Sequence, residues 1–136
     1  MEITAEKIKA IAEELECGMV CYYHISSGEI ESYPNPDDPY FEEEPWQELI
    51  DKIESNEEEY LRFDKMTSSE AFKVMESFAD SLQDEFMKRR IYDALSYKGP
   101  FQNFKRLIDD SDYRQDWFDF KSKAYIEHVK DQHEDI

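Results

Sequence analysis

The chain has 136 residues, 40% of them apolar and 15% aromatic, and a formal charge of −18. That length fits one domain, 1–136, and a chain of this size buries roughly two-thirds of its unfolded surface, so a core needs no disulfide staple. The apolar and aromatic content argues against disorder, no run nears the ~20 apolar residues of a membrane span, and an acidic field repels nucleic acid and anionic membranes.

Met1-Glu2-Ile3-Thr4 has neither the basic nor the apolar region of a signal peptide, which makes the cytoplasm the expected compartment. Thr4 then caps a first helix, with Ile3 and Ile8 at the positions of a hydrophobic staple. Ile8, Ile11, Ala12 and Leu15 form its apolar stripe, and Gly18 ends it. Met19–Ile25 is rich in β-branched and aromatic residues and reads as a strand. Ser26-Ser27-Gly28 supplies a turn, and Glu29–Tyr33 alternates as an antiparallel partner whose charged face points to solvent or an edge.

The prolines of Pro34-Asn35-Pro36-Asp37-Asp38-Pro39 lack the amide donor a sheet or helix interior needs, so 34–39 reads as a loop. Its acids continue through Glu42-Glu43-Glu44. A short helix follows over Trp46–Ile53, with Trp46, Leu49, Ile50 and Ile53 on one face. Glu57-Glu58-Glu59 leads into a third strand, Tyr60–Phe63, with Leu61 and Phe63 pointing the same way.

Thr67-Ser68-Ser69-Glu70 fits a capping box, and Phe72, Met75, Ala79 and Leu82 give that helix its buried stripe, flanked by Val74 and Phe78. Ser81 or Gln83 breaks it. A further helix runs from Asp84 to Tyr97 on Met87, Ile91, Ala94 and Leu95; Gly99 caps its end. Pro100 opens the next, buried through Phe101, Phe104, Leu107 and Ile108. Ser111 or Asp112 caps the last, whose stripe is Tyr113, Trp117, Phe120 and Ala124. The fold class is therefore α+β: a small antiparallel sheet, hairpin plus third strand, packed with a mainly helical C-terminal half. Residues 1–66 form the acidic α/β part and 67–136 the helical part.

The order of three blocks resembles a catalogued uncharacterised family of small acidic bacterial proteins. Tyr22-Tyr23-His24-Ile25-Ser26-Ser27-Gly28-Glu29 is similar to the family's hairpin, and Ser69–Phe78 to its Met-and-Phe helix. Gly99-Pro100-Phe101-Gln102-Asn103-Phe104-Lys105 with Trp117-Phe118-Asp119-Phe120 resembles its C-terminal signature, the most specific of the three. The likeness extends over nearly the whole chain. It departs at His24, where an acid is expected, and at Gln83, near an expected proline. The resemblance implies no activity, cofactor or catalytic residue.

The charge is uneven. Residues 1–85 carry −18, residues 86–130 carry +3, and 131–136 return −3. Between Asp37 and Glu59 there are 11 acids and one base. This region is expected to attract a basic protein, with Asp37, Asp38, Glu42, Glu43 and Glu44 as the contact; a solvated loop is the alternative. The acids lack the ordered spacing of a calcium loop, and no cofactor is expected.

Cys17, Cys21 and His24 have the chemistry of zinc ligands, but Cys21 and His24 fall on opposite faces of a regular strand and a fourth ligand is wanting. The same facing weighs against a Cys–His nucleophile. Two reduced thiols, with no metal site, are the expected state. Lys88, Arg89, Arg90, Lys98, Lys105, Arg106, Arg114, Lys121 and Lys123 interleave with aromatics, as on RNA or single-stranded DNA binders. The region's small excess of charge and the helical spacing of its aromatics favour a core instead. The sequence thus points to a small acidic protein-binding or regulatory module, leaning away from an enzyme and leaving the oligomeric state open. The alternatives are a small hydrolase or metal-dependent enzyme using acids near the hairpin, and a nucleic-acid binder acting through the C-terminal helices.

Overall fold

The computed structural model describes residues 2–133. Among them are six α-helices, two single-turn 3₁₀ helices and one three-stranded antiparallel sheet, an α+β protein. Two compact units divide the chain: residues 2–65 together with 125–133, and residues 66–124.

The first unit starts with α1, Ala5–Glu16. The Thr4 hydroxyl accepts the Lys7 amide at 3.2 Å, and Ile8, Ile11, Ala12 and Leu15 are buried as a stripe. Strand β1, Met19–His24, is central in the order β2-β1-β3. It ends one residue before the expected Ile25, which is exposed. Strand β2 covers Ile30–Pro34, so Pro34 lies in the sheet rather than opening the loop. It sits at the end of an edge strand opposite Met19, where its missing amide deprives no neighbour of a hydrogen bond. Gly28, at φ +75°, supplies the left-handed residue that the hairpin turn requires.

Strand β3, Tyr60–Phe63, keeps its expected limits and pairs with β1 in the register Tyr22 to Arg62 and Cys21 to Phe63. Alternation then gives the sheet two distinct faces. Cys21, Ser32 and Phe63 share one, over which α1 lies, with Ser32 Oγ donating to Glu14 at 3.0 Å. Val20, Tyr22, Tyr33 and Tyr60 share the other, covered by Ile50 and Ile53 of α2, Gln47–Glu54. Trp46 belongs to the 3₁₀ turn Glu44–Trp46 just before α2.

In the second unit, α3 spans Ser68–Ser81 with both hydrogen bonds of the Thr67/Glu70 capping box formed. Helix α4 is Glu85–Ser96, α5 is Pro100–Asp109, and α6 runs Arg114–Gln132. Gly99 is left-handed at φ +72°, and the expected end cap of α4 is the residue that starts α5. Met75, Phe78, Ala79, Met87, Ile91, Leu95, Phe104 and Ile108 form the core, with Phe72, Trp117 and Phe120 packed on it. Phe78 is therefore core rather than flank. Phe101 departs from expectation by being 44% exposed: it shares the helix face of Phe104 and Ile108 but sits in the first turn of α5, at the end of the buried stripe.

The buried stripe of α6 also shifts. Tyr125 and Val129 are its buried residues, and from Tyr125 onward the helix belongs to the first unit. Its end is tied to β3 by polar groups. Gln132 accepts the Asp64 amide at 2.8 Å and donates to the Asp64 carbonyl at 3.0 Å, while His133 Nε2 lies 2.7 Å from the Arg62 carbonyl. Among the described residues no helix is long and apolar enough to cross a membrane.

Candidate functional site

The sheet face beneath α2 carries an unusual set of side chains. Strand alternation puts Tyr22 of β1, Tyr33 of β2, and Tyr60 with Arg62 of β3 on the same side. The rings form a continuous series. Tyr22 stacks on Tyr33 at 5.8 Å and meets Tyr60 edge-on at 6.3 Å, and Phe41 from the loop closes on Tyr33 at 6.5 Å. Together with Pro36, Glu43, Ile50, Ile53, Glu54 and Glu57 they line a cavity of about 520 Å³. A volume of that order is within the range of small-ligand and side-chain pockets.

Buried and exposed lining residues are segregated. Tyr22, Tyr33, Tyr60, Ile50 and Ile53 are buried and form the floor, whereas Glu43, Glu54, Glu57 and Arg62 are exposed and stand at the mouth. The Tyr22 and Tyr33 hydroxyls lie 3.2 Å apart. Burial, and then the Tyr22 hydrogen bond, push the Tyr33 phenol above its ordinary value, so it stays neutral at physiological pH. Tyr60 is braced from outside by donating to Glu31 at 3.0 Å, where Lys52 also donates at 2.8 Å. Burial works to raise the Glu31 carboxyl, but the hydrogen bonds from Lys52 and Tyr60 outweigh it and hold the group below its usual range. The Arg62 guanidinium lies 5.9 Å from the centre of the Tyr22 ring and pairs with Asp64 at 3.0 Å.

The model of the uncharacterised protein family UPF0158 matches residues 38–134, well over half of the chain. The chain belongs to this family. Neither the curated proteins nor the solved structures offer a match. The UPF0158 span takes in the Met-and-Phe helix and the C-terminal signature, and it begins after the hairpin. It contributes Phe41, Glu43, Ile50, Ile53, Glu54, Glu57, Tyr60 and Arg62 to the cavity; Tyr22, Tyr33 and Pro36 precede it.

In this UPF0158 chain the five acids expected at a contact, Asp37, Asp38, Glu42, Glu43 and Glu44, are all exposed. The loop that presents them is ordered by its own turns: Asn35, buried, accepts the Asp37 amide at 2.9 Å, and the Asp38 carboxylate accepts the Tyr40 amide at 2.8 Å. Of the five, Glu43 reaches the cavity lining. The tyrosines and Arg62 escaped the sequence reading. Their signal was the period-2 placement of Tyr60 and Arg62, which becomes a site only once the strand pairing sets them beside Tyr22 and Tyr33.

Cys17, Cys21 and His24 are not brought together. Cys17 is exposed, Cys21 is buried on the α1 face, and His24 lies on the opposite face with its ring against Tyr60. His24 Nδ1 receives the Ser27 amide at 3.1 Å and lies 2.8 Å from Ser27 Oγ. That pattern closes the hairpin turn locally, with the imidazole nitrogen as acceptor. Among the described residues no group of three or more His, Cys, Asp or Glu is placed to hold a metal ion. In the second unit Phe86 and Phe118 are exposed, each with an arginine over its ring, Arg90 at 5.8 Å and Arg114 at 4.8 Å. The aromatics of this half thus divide between core and surface.

Proposed function

We propose that this protein is a small acidic binding module that recognises a basic protein partner. The observation that carries the reading is convergence. Glu43 from the loop, Glu54 from α2 and Glu57 from the following turn all stand at the mouth of one cavity, within the stretch that holds 11 acids and one base. A run of acids spread evenly over a surface would serve solubility; acids gathered at a concave aromatic site favour docking. The exposed Asp37, Asp38, Glu42 and Glu44 extend the same field outward and would steer a cationic surface toward the cavity.

Affinity capture from the source cell tests this, with the wild type and a Glu42→Gln/Glu43→Gln/Glu44→Gln variant compared at low and physiological salt. Basic proteins retained by the wild type and lost from the variant are the expected result. Recovery of no basic protein even at low salt, or equal recovery by both forms, would contradict the reading.

A further inference from the structure

We infer that the cavity on the α2 face of the sheet receives the ammonium head of a lysine side chain from the basic partner, an inference that rests on the function proposed above. Three observations converge on that chemistry. The buried lining is rich in aromatic rings, with Tyr22 edge-on to Tyr60 at an interplanar angle of 89°, and such rings attract a cation placed beside them. The phenols add oxygen acceptors at the same depth, with Tyr22 and Tyr33 hydroxyls 3.2 Å apart. The mouth carries three carboxylates, Glu43, Glu54 and Glu57, against one guanidinium.

Arg62 is the group that could oppose a cation, and its surroundings remove the objection. Its charge is met by Asp64 at 3.0 Å, and its side chain is 57% exposed. It also lies over the Tyr22 ring, 5.9 Å from its centre, so a cation is already accepted against this face of the sheet. A second positive group therefore finds the three glutamates of the mouth without a competing unpaired cation in the lining. An anionic guest would meet those carboxylates, and an apolar one would leave the phenol oxygens facing hydrocarbon. Lysine suits the shape as well: its straight aliphatic stem can pass the buried Ile50 and Ile53 while the compact ammonium reaches the tyrosines.

The test uses a nonapeptide of alternating arginine and glycine with a single lysine at its centre, and the same peptide with that lysine replaced by norleucine, followed by NMR on the full chain. The lysine peptide is expected to move the ring resonances of Tyr22, Tyr33 and Tyr60, and norleucine to weaken binding about tenfold or more. Glu54→Gln/Glu57→Gln, both at exposed positions, should speed dissociation of the lysine peptide and leave the norleucine peptide little changed. Peptide binding that shifts the loop around Glu42 and Glu44 but leaves the three tyrosines unmoved would overturn the lysine pocket while the basic-partner reading stands. Absence of binding by either peptide at low salt would overturn both.

Discussion

Cys17 and Cys21 are four residues apart and chemically unlike. Cys21 is fully buried in β1, and burial first, then the charge of Glu14, push its thiol up to about 12. Since the thiolate is the reacting form, Cys21 is inert at ordinary pH, and exposed Cys17 is the accessible thiol. A thiol reagent at pH 8 should titrate one group in the native protein, the reaction should vanish in Cys17→Ala, and the second group should appear on unfolding. Two fast thiols in the native state would contradict this assignment. Trp117 shows a different residue-scale balance. It is only half-buried, yet its ring lies edge-on to Phe104 at 4.7 Å and to Phe78 at 5.3 Å. Its truncation removes contacts with two core rings, so Trp117→Ala should cost about 2–3 kcal/mol, less than the ~3–5 kcal/mol of a fully buried tryptophan. Urea unfolding measures it; a loss under about 0.5 kcal/mol would make Trp117 a surface group.

At the scale of elements, α4 depends on its N-cap. Asp84 accepts the Met87 amide at 3.1 Å and the Tyr113 hydroxyl at 2.9 Å, and these two bonds, the amide foremost, hold its carboxyl below the usual range. A carboxyl harder to protonate when folded stabilises the fold in full above its unfolded pKa of about 3.9, and that contribution is lost as pH falls through the lower folded value. Protonation of the many other acids relieves self-repulsion in the opposite sense, so the informative quantity is the difference between proteins. The urea midpoint of wild type should fall more steeply between pH 5 and 3 than that of Asp84→Asn, which keeps a cap without the charge. Parallel curves would deny Asp84 this role. Elements were the level most legible in the sequence, because Thr4, the Thr67/Glu70 box and Pro100 each act within one turn of the residues they organise. What escaped was tertiary. Pro34 joins β2 because that strand turns out to be an edge, and the end of α6 is held by the Gln132 amide and His133, polar contacts that apolar periodicity does not register.

On the scale of the whole molecule, the acidic field was plain from composition, whereas the cavity was not. The field is additive over residues, so counting acids between Asp37 and Glu59 locates it. The cavity instead needs Tyr22, Tyr33 and Tyr60 from three strands in one register, and a slip of one residue would turn any of them to the opposite face. The two features have separable kinetic consequences. Exposed charge outside the cavity acts at long range and sets how fast a cationic partner arrives, while groups at the mouth hold it once docked. Surface charge is screened beyond ~10 Å at 0.1 M salt, so only the first effect should fade strongly with ionic strength. The most direct measurement is the association and dissociation rate of the captured basic partner with wild type and with Glu42→Gln/Glu44→Gln, which lie outside the cavity lining, each at two ionic strengths. Slower association of the variant at low salt, convergence of the two proteins at high salt and a smaller change in dissociation are the expected result. Association rates that are equal for both proteins at both ionic strengths would contradict it.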